Sequence, residues 1–135
     1  MKRNKILIVS SNYYQDLLYP MEKDAKFILE NSKKIKFNYK VAEAPGVFEI
    51  PVIIARNIKK YDGFLALGCV IKGETPHFDF ISTAATDGIM KISIENKKPI
   101  GNGILTCLNK KQAEVRSKTK GKEATKALVS VLSQS

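Results

Sequence analysis

Apolar positions along the chain switch between two spacings. Ile6-Leu7-Ile8-Val9 is a short continuous run that predicts a strand over 5–10, suited to a parallel sheet buried on both faces. The polar and aromatic stretch 12–16 is a connection, and a helix follows to about residue 31 with Ala25, Ile28 and Leu29 inward. Pro20 is tolerable there only in the first turn, because it has no N–H to give. A shorter strand is expected over 37–42. Ala44-Pro45-Gly46 signals a turn, and Pro51 is placed to start a helix over 52–60. Phe64 to Ile71 is the clearest buried strand, entered through Asp62-Gly63. The loop 72–77 leads to a helix through about 95, where Ile81, Ala84, Ala85, Gly88, Ile89 and Ile92 keep i, i+3, i+4 spacing. A last strand is expected over 100–107, then helices over 110–117 and 122–132.

This alternation predicts βαβ units around a mostly parallel sheet of about four strands, in one domain spanning 1–135. Ligands of such sheets collect beyond the carboxyl ends of the strands. The candidate site is therefore the loops at 10–14, 44–49, 68–77 and from Thr106 onward.

Composition narrows the class. The 135 residues are 44% hydrophobic with 8 Gly and 5 Pro, which excludes collagenous and low-complexity chains and argues against disorder. No apolar run reaches the ~20 residues of a membrane-spanning helix. The basic start Met1-Lys2-Arg3-Asn4-Lys5 precedes only four apolar residues, too few for a signal-peptide core, so a cytoplasmic protein is expected. Cys69 and Cys107 each sit in an apolar run and read as buried thiols, and with one His in the chain a His/Cys zinc site is not expected. The net charge of +10 raises nucleic-acid binding as a possibility. Its cations, however, are mostly lysines scattered along the whole chain, with doublets at element ends, which speaks for solvated edges instead.

Four features could carry chemistry, and each has a bland alternative. Gly73-Glu74-Thr75 offers backbone N–H groups ahead of a helix: an anion cradle, or an ordinary helix entry. His77 exchanges protons near neutrality, or is structural. Glu49 accepts hydrogen bonds from a polyol, or is a first-turn carboxylate favoured by the helix dipole. Arg116 grips a phosphate bidentately, or pairs with Glu114 or a helix carbonyl.

Taken together the segments are more specific. Residues 45–51 (PGVFEIP), 68–79 (GCVIKGETPHFD) and 99–106 (PIGNGILT) resemble, in order and spacing, the 6,7-dimethyl-8-ribityllumazine synthase family, and the likeness extends over about 5–132. The resemblance implies a flavodoxin-like three-layer α/β/α sandwich. It also implies the penultimate step of riboflavin synthesis. There, 5-amino-6-(D-ribitylamino)uracil condenses with 3,4-dihydroxy-2-butanone 4-phosphate, releasing phosphate and water without metal or organic cofactor. Members assemble as pentamers or larger shells with active sites between subunits.

Carried over by position, the resemblance implies that Tyr13 stacks on the pyrimidine and that Val47, Phe48 and Glu49 meet the ring and ribityl chain. Val70 and Ile71 line the ring pocket through their backbone, Glu74 and Thr75 form the phosphate cradle, and Arg116 grips the phosphate with Lys120 near it. His77 is the proton carrier, and Asn102 is reached from the neighbouring subunit. Three positions depart from the family pattern: Asn12 stands where arginine is common, Asn102 where the residue is often aromatic, and Leu108 where an acid is frequent. The stretch 116–121 is also short, which favours a pentamer or decamer over a shell. Two other classes remain to be weighed: a non-catalytic flavin or lumazine carrier, and a basic nucleic-acid-binding domain.

Overall fold

The computed structural model describes residues 3–134; Met1 and Lys2, part of the basic start weighed above, lie outside them. The elements are β1 (Arg3–Ser11), α1 (Gln15–Glu30), β2 (Lys36–Ala44), a 3-10 turn (Val47–Glu49), α2 (Ile50–Arg56), β3 (Gly63–Ile71), α3 (His77–Asn96), β4 (Ile100–Cys107), α4 (Lys110–Arg116) and α5 (Lys120–Leu132). The strands form one sheet in the order β2-β1-β3-β4, and every pairing is parallel.

Alternate side chains of a strand leave opposite faces of the sheet, and here both faces are covered. Ile6 and Ile8 of β1 join one core with Leu17, Leu18 and Met21 of α1, Ala113 of α4 and Leu128 of α5. Leu7 and Val9 join a second with Ile50 and Ile54 of α2 and Ala85 and Ile89 of α3. A strand covered on both sides must be apolar at every position, which is why β1 and β3 read as unbroken runs. The result is the three-layer α/β/α sandwich that the resemblance implied, with its sheet wholly parallel.

Chain direction fixes where a ligand can sit. From β1 the chain moves outward to β2, then crosses back over β1 to β3 and continues to β4. With right-handed crossovers, reversing direction puts α1 on one face and α2 and α3 on the other. The connections leaving β1 and β3 therefore diverge, and a crevice opens between the carboxyl ends of those two strands.

The glycines of the segment 99–106 have a packing cause. A Cβ at Gly101 would lie 2.7 Å from the Ala124 carbonyl oxygen, and one at Gly103 would lie 2.5 Å from Leu67 Cδ2. Helix α5 thus rests almost directly on the backbone of β4.

Three boundaries differ from expectation. Pro20 lies inside α1 and not in its first turn. The Tyr14 carbonyl accepts from the N–H groups of Leu17 and Leu18 at 3.1 and 3.0 Å, so the helix begins at Gln15, and buried Leu17, Leu18 and Met21 hold that register. The bond Pro20 cannot make would have gone to the carbonyl of exposed Asp16, which water can serve. Helix α2 starts earlier and stops at Arg56, because the Asn57 side chain donates to the Ile53 carbonyl at 2.8 Å and its N–H to Ile54. Helix α5 begins at Lys120, so the short connection after Arg116 is nearly one continuous turn of chain.

Candidate active site

The crevice between β1 and β3 is a cleft of about 630 Å³. The β1 side contributes Ser11, Tyr13 and Tyr14; the turn before α2 contributes Gly46, Val47, Phe48 and Glu49; β3 contributes Cys69, Val70 and Ile71; and α3 contributes His77 and Ile81. Tyr13 and Phe48 are 74% and 59% exposed, and of the exposed rings they are the two that line the cleft. They offer flat apolar faces suited to a heteroaromatic ligand.

Local structure explains why these side chains converge. Gly46 opens the 3-10 turn, and the Glu49 carboxylate folds back over it: a Cβ at Gly46 would lie 3.2 Å from Glu49 Oε1. Glu49 occupies the cap position of α2, yet its carboxylate makes no capping hydrogen bond. Glu49 thus stands where the helix dipole favours a carboxylate, and with no hydrogen bond to the α2 backbone its oxygens are also open to a ligand in the cleft. His77 is the first residue of α3, and its N–H donates to Thr75 Oγ1 at 3.3 Å. The loop carrying Glu74 and Thr75 is exposed, and the N–H groups of Gly73, Glu74 and Thr75 have no acceptor among the described residues. These unpaired donors stand just ahead of a 20-residue helix, where an anion is favoured.

Electrostatically the floor of the cleft is neutral. Burial, and then the neighbouring Cys107 and Asp16, push the Cys69 thiol up to about 12, so it stays protonated. Burial first, then Tyr13 and Cys69, raise the Tyr14 phenol, with Lys110 opposing. Both cysteines are free and buried, as expected. Among the described residues no group of three or more His, Cys, Asp or Glu could hold a metal ion.

Not every expected site residue reaches this cleft. Arg116 and Lys120 line a separate hollow of about 270 Å³ at the open edge of β4, with Thr106, Thr119 and Glu123. Arg116 makes no ion pair with Glu114 among the described residues, so the bland partner is not used. The field of these two cations reaches Cys107, whose thiol is raised by burial but pulled back down by Arg116 and Lys120. Asn102 is also away from the cleft, exposed on edge strand β4, with its Oδ1 accepting from the Ile104 N–H at 3.1 Å. Asn12 turns away as well, donating to Glu43 Oε2 at 3.0 Å. Sequence reasoning located the four loops but did not single out Ser11, Tyr14, Cys69 or Ile81; their signal is their place at the carboxyl end of a strand or the start of the next helix.

Relatives supply the deciding observation. Residues 3–135 match the model of the family described as 6,7-dimethyl-8-ribityllumazine synthase. The chain belongs to that family. Proteins named 6,7-dimethyl-8-ribityllumazine synthase from Agrobacterium fabrum and Corynebacterium kroppenstedtii are 38% and 36% identical to it. The first alignment covers 98% of this chain and 95% of the relative, and the second 93% and 80%. One from Bartonella tribocorum is 38% identical over 87% of this chain and 78% of its own. As a lumazine synthase family member the chain is an enzyme of riboflavin biosynthesis acting on small molecules. No helix among the described residues is long and apolar enough to cross a membrane.

Proposed function

We propose that the cleft and the hollow are two halves of one active site, brought together between neighbouring copies of the chain. The reaction joins 5-amino-6-(D-ribitylamino)uracil to 3,4-dihydroxy-2-butanone 4-phosphate. The observation that carries the proposal is the convergence of Tyr13, Glu49 and His77 on the cleft while Arg116 and Lys120 line a hollow outside it.

In the cleft, the pyrimidinedione stacks on Tyr13 beside Val47 and Phe48, with backbone groups of Val70 and Ile71 along its edge. The uncapped Glu49 carboxylate accepts from ribityl hydroxyls. The phosphate of the second substrate sits at the unpaired N–H groups of Glu74 and Thr75, with Arg116 and Lys120 of the neighbouring copy closing over it. Asn102 of that neighbour faces the ring, by hydrogen bonding where many members have an aromatic residue.

The amine of the first substrate attacks the ketone of the second, water leaves to give an imine, phosphate is expelled, and the ring closes. Protons move at each step. His77 at the cleft rim is the imidazole placed to carry them, a role worth roughly 10²–10⁴-fold. Expulsion of phosphate is eased because the N–H groups and the guanidinium already stabilise its charge. The rest comes from holding two substrates at one place.

A second copy is also called for by α3. Of this 20-residue helix only Ala85 and Ile89 are buried, while Phe80, Met90 and Ile94 are 66%, 58% and 66% exposed along one side. Such a stripe is a contact surface, and a closed ring of a pentamer, or two rings as a decamer, would cover it.

The test is an assay of the purified chain with both substrates. Equimolar lumazine and inorganic phosphate are expected, and His77→Ala should slow turnover. Ring formation without phosphate release, or no consumption of either substrate, would contradict the proposed chemistry.

A further inference from the structure

Tyr14 is an aromatic residue of the cleft for which the reaction outlined above has no use. Its main chain is fixed, because its carbonyl starts α1 by accepting from Leu17 and Leu18. Its ring meets that of Tyr13 at 82° with centroids 4.9 Å apart, so the two form perpendicular walls of one corner. A flat ligand lying parallel to Tyr13 in such a corner turns its edge, where its polar atoms are, toward Tyr14.

The hydroxyl is also unspent. The half-buried phenol of Tyr39 donates to the Glu30 carboxylate, whereas the Tyr14 hydroxyl has no protein partner among the described residues although Tyr14 is half-buried and lines the cleft. Buried phenols ordinarily find a partner; Tyr61, the other half-buried phenol without one among the described residues, lies outside this cleft. Burial keeps the group protonated, so it is a donor throughout the neutral range. Its neighbour Cys69 is a protonated thiol, a weak competitor for any acceptor.

We propose that the Tyr14 hydroxyl is a substrate contact that donates a hydrogen bond to a carbonyl oxygen of the pyrimidinedione ring stacked on Tyr13. This rests on the assignment of the ring to the cleft. A pyrimidinedione offers two carbonyl acceptors on its edge, and a neutral donor suits a neutral acceptor. The phosphate is instead matched by the helix N-terminus and the cations. Tyr14 thereby selects for a ring with an oxygen at that edge, since an analogue without it leaves the phenol unpaired.

Tyr14→Phe keeps the ring, the perpendicular contact and the packing, and removes only the hydroxyl. The KM for the aminopyrimidinedione should rise about fivefold, more than any change in kcat, with the KM for the butanone phosphate unchanged. The thermal midpoint should stay where it is, because the ring and its packing are kept; a purely packing role would leave both KM values unchanged as well. Equal KM values for the aminopyrimidinedione in Tyr14→Phe and the parent chain would overturn the proposal, as would a parallel rise for both substrates. Tyr13→Ala separates the two levels. If it raises the aminopyrimidinedione KM while Tyr14→Phe does not, only the Tyr14 contact is wrong. If neither variant moves that KM, the ring does not lie in this cleft and both proposals fall.

Discussion

The cleft and the hollow are opposites in chemistry. The cleft, at the divergence of β1 and β3, is aromatic, with a protonated thiol on its floor and one uncapped carboxylate. The hollow, at the open edge of β4, gathers Arg116 and Lys120 with two threonines and a glutamate. The two cysteines register the contrast. Burial raises both, but only Cys107 feels Arg116 and Lys120 pulling its pKa back down. A flat, neutral, polyhydroxylated substrate matches the first region and a phosphorylated one needs the second. On the proposed reading, each region alone serves half of a two-substrate reaction.

The sharpest way to break this division is to damage one side and read both substrates. His77→Ala should lower kcat by about 10²-fold with little change in either KM, because a proton carrier acts on the transition state. A rate unchanged across neutral pH would remove His77 from the mechanism. Arg116→Ala should raise the KM for the butanone phosphate by about 10–100-fold, the worth of a charged bidentate contact, and leave the aminopyrimidinedione KM alone. Equal effects on both substrates would erase the distinction between the regions.

Gly121→Ala probes the wall of the hollow without touching the cleft. A Cβ there would lie 2.5 Å from the Met21 carbonyl oxygen, so α5 must shift off α1, carrying Lys120 with it. A loss of about 1–3 kcal/mol in unfolding free energy is expected, with the butanone-phosphate KM rising more than that of its partner.

The smallest effect belongs to the cleft floor. The Cys69 thiol rises from 9.0 in the unfolded chain to about 12 in the folded one, so the native state holds its proton longer. Its contribution to stability is intact below pH 9 and is lost as pH rises from 9 toward 12. The thermal midpoint should fall over that window and fall less in Cys69→Ala, a comparison that thermal scans at several pH values would make.

Much of the fold was legible because its central strands, β1 and β3, are buried on both faces, so Ile6 to Val9 and Phe64 to Cys69 read as sheet core. Pro20 misled because tertiary packing of Leu17, Leu18 and Met21 fixed the helix start, overriding a local rule. The site was half legible. The loops holding Tyr13, Glu49 and His77 follow from strand order in a parallel sheet, whereas the separation of Arg116 from them depends on β4 being an outer strand, which no local pattern encodes. Tyr14 escaped notice because beside Tyr13 it reads as one more aromatic residue; only the right angle between the rings gives it a direction.

The central claim, that one copy's cleft works with its neighbour's hollow, is tested most directly by mixing two disabled chains. One carries Glu49→Ala with His77→Ala, the other Arg116→Ala, and they are unfolded and refolded together. If the halves come from different copies, random assembly makes about a quarter of the junctions intact, and a matching share of parent activity should return. If the cleft and hollow of the same copy act together, the mixture will be no more active than the two variants assayed apart.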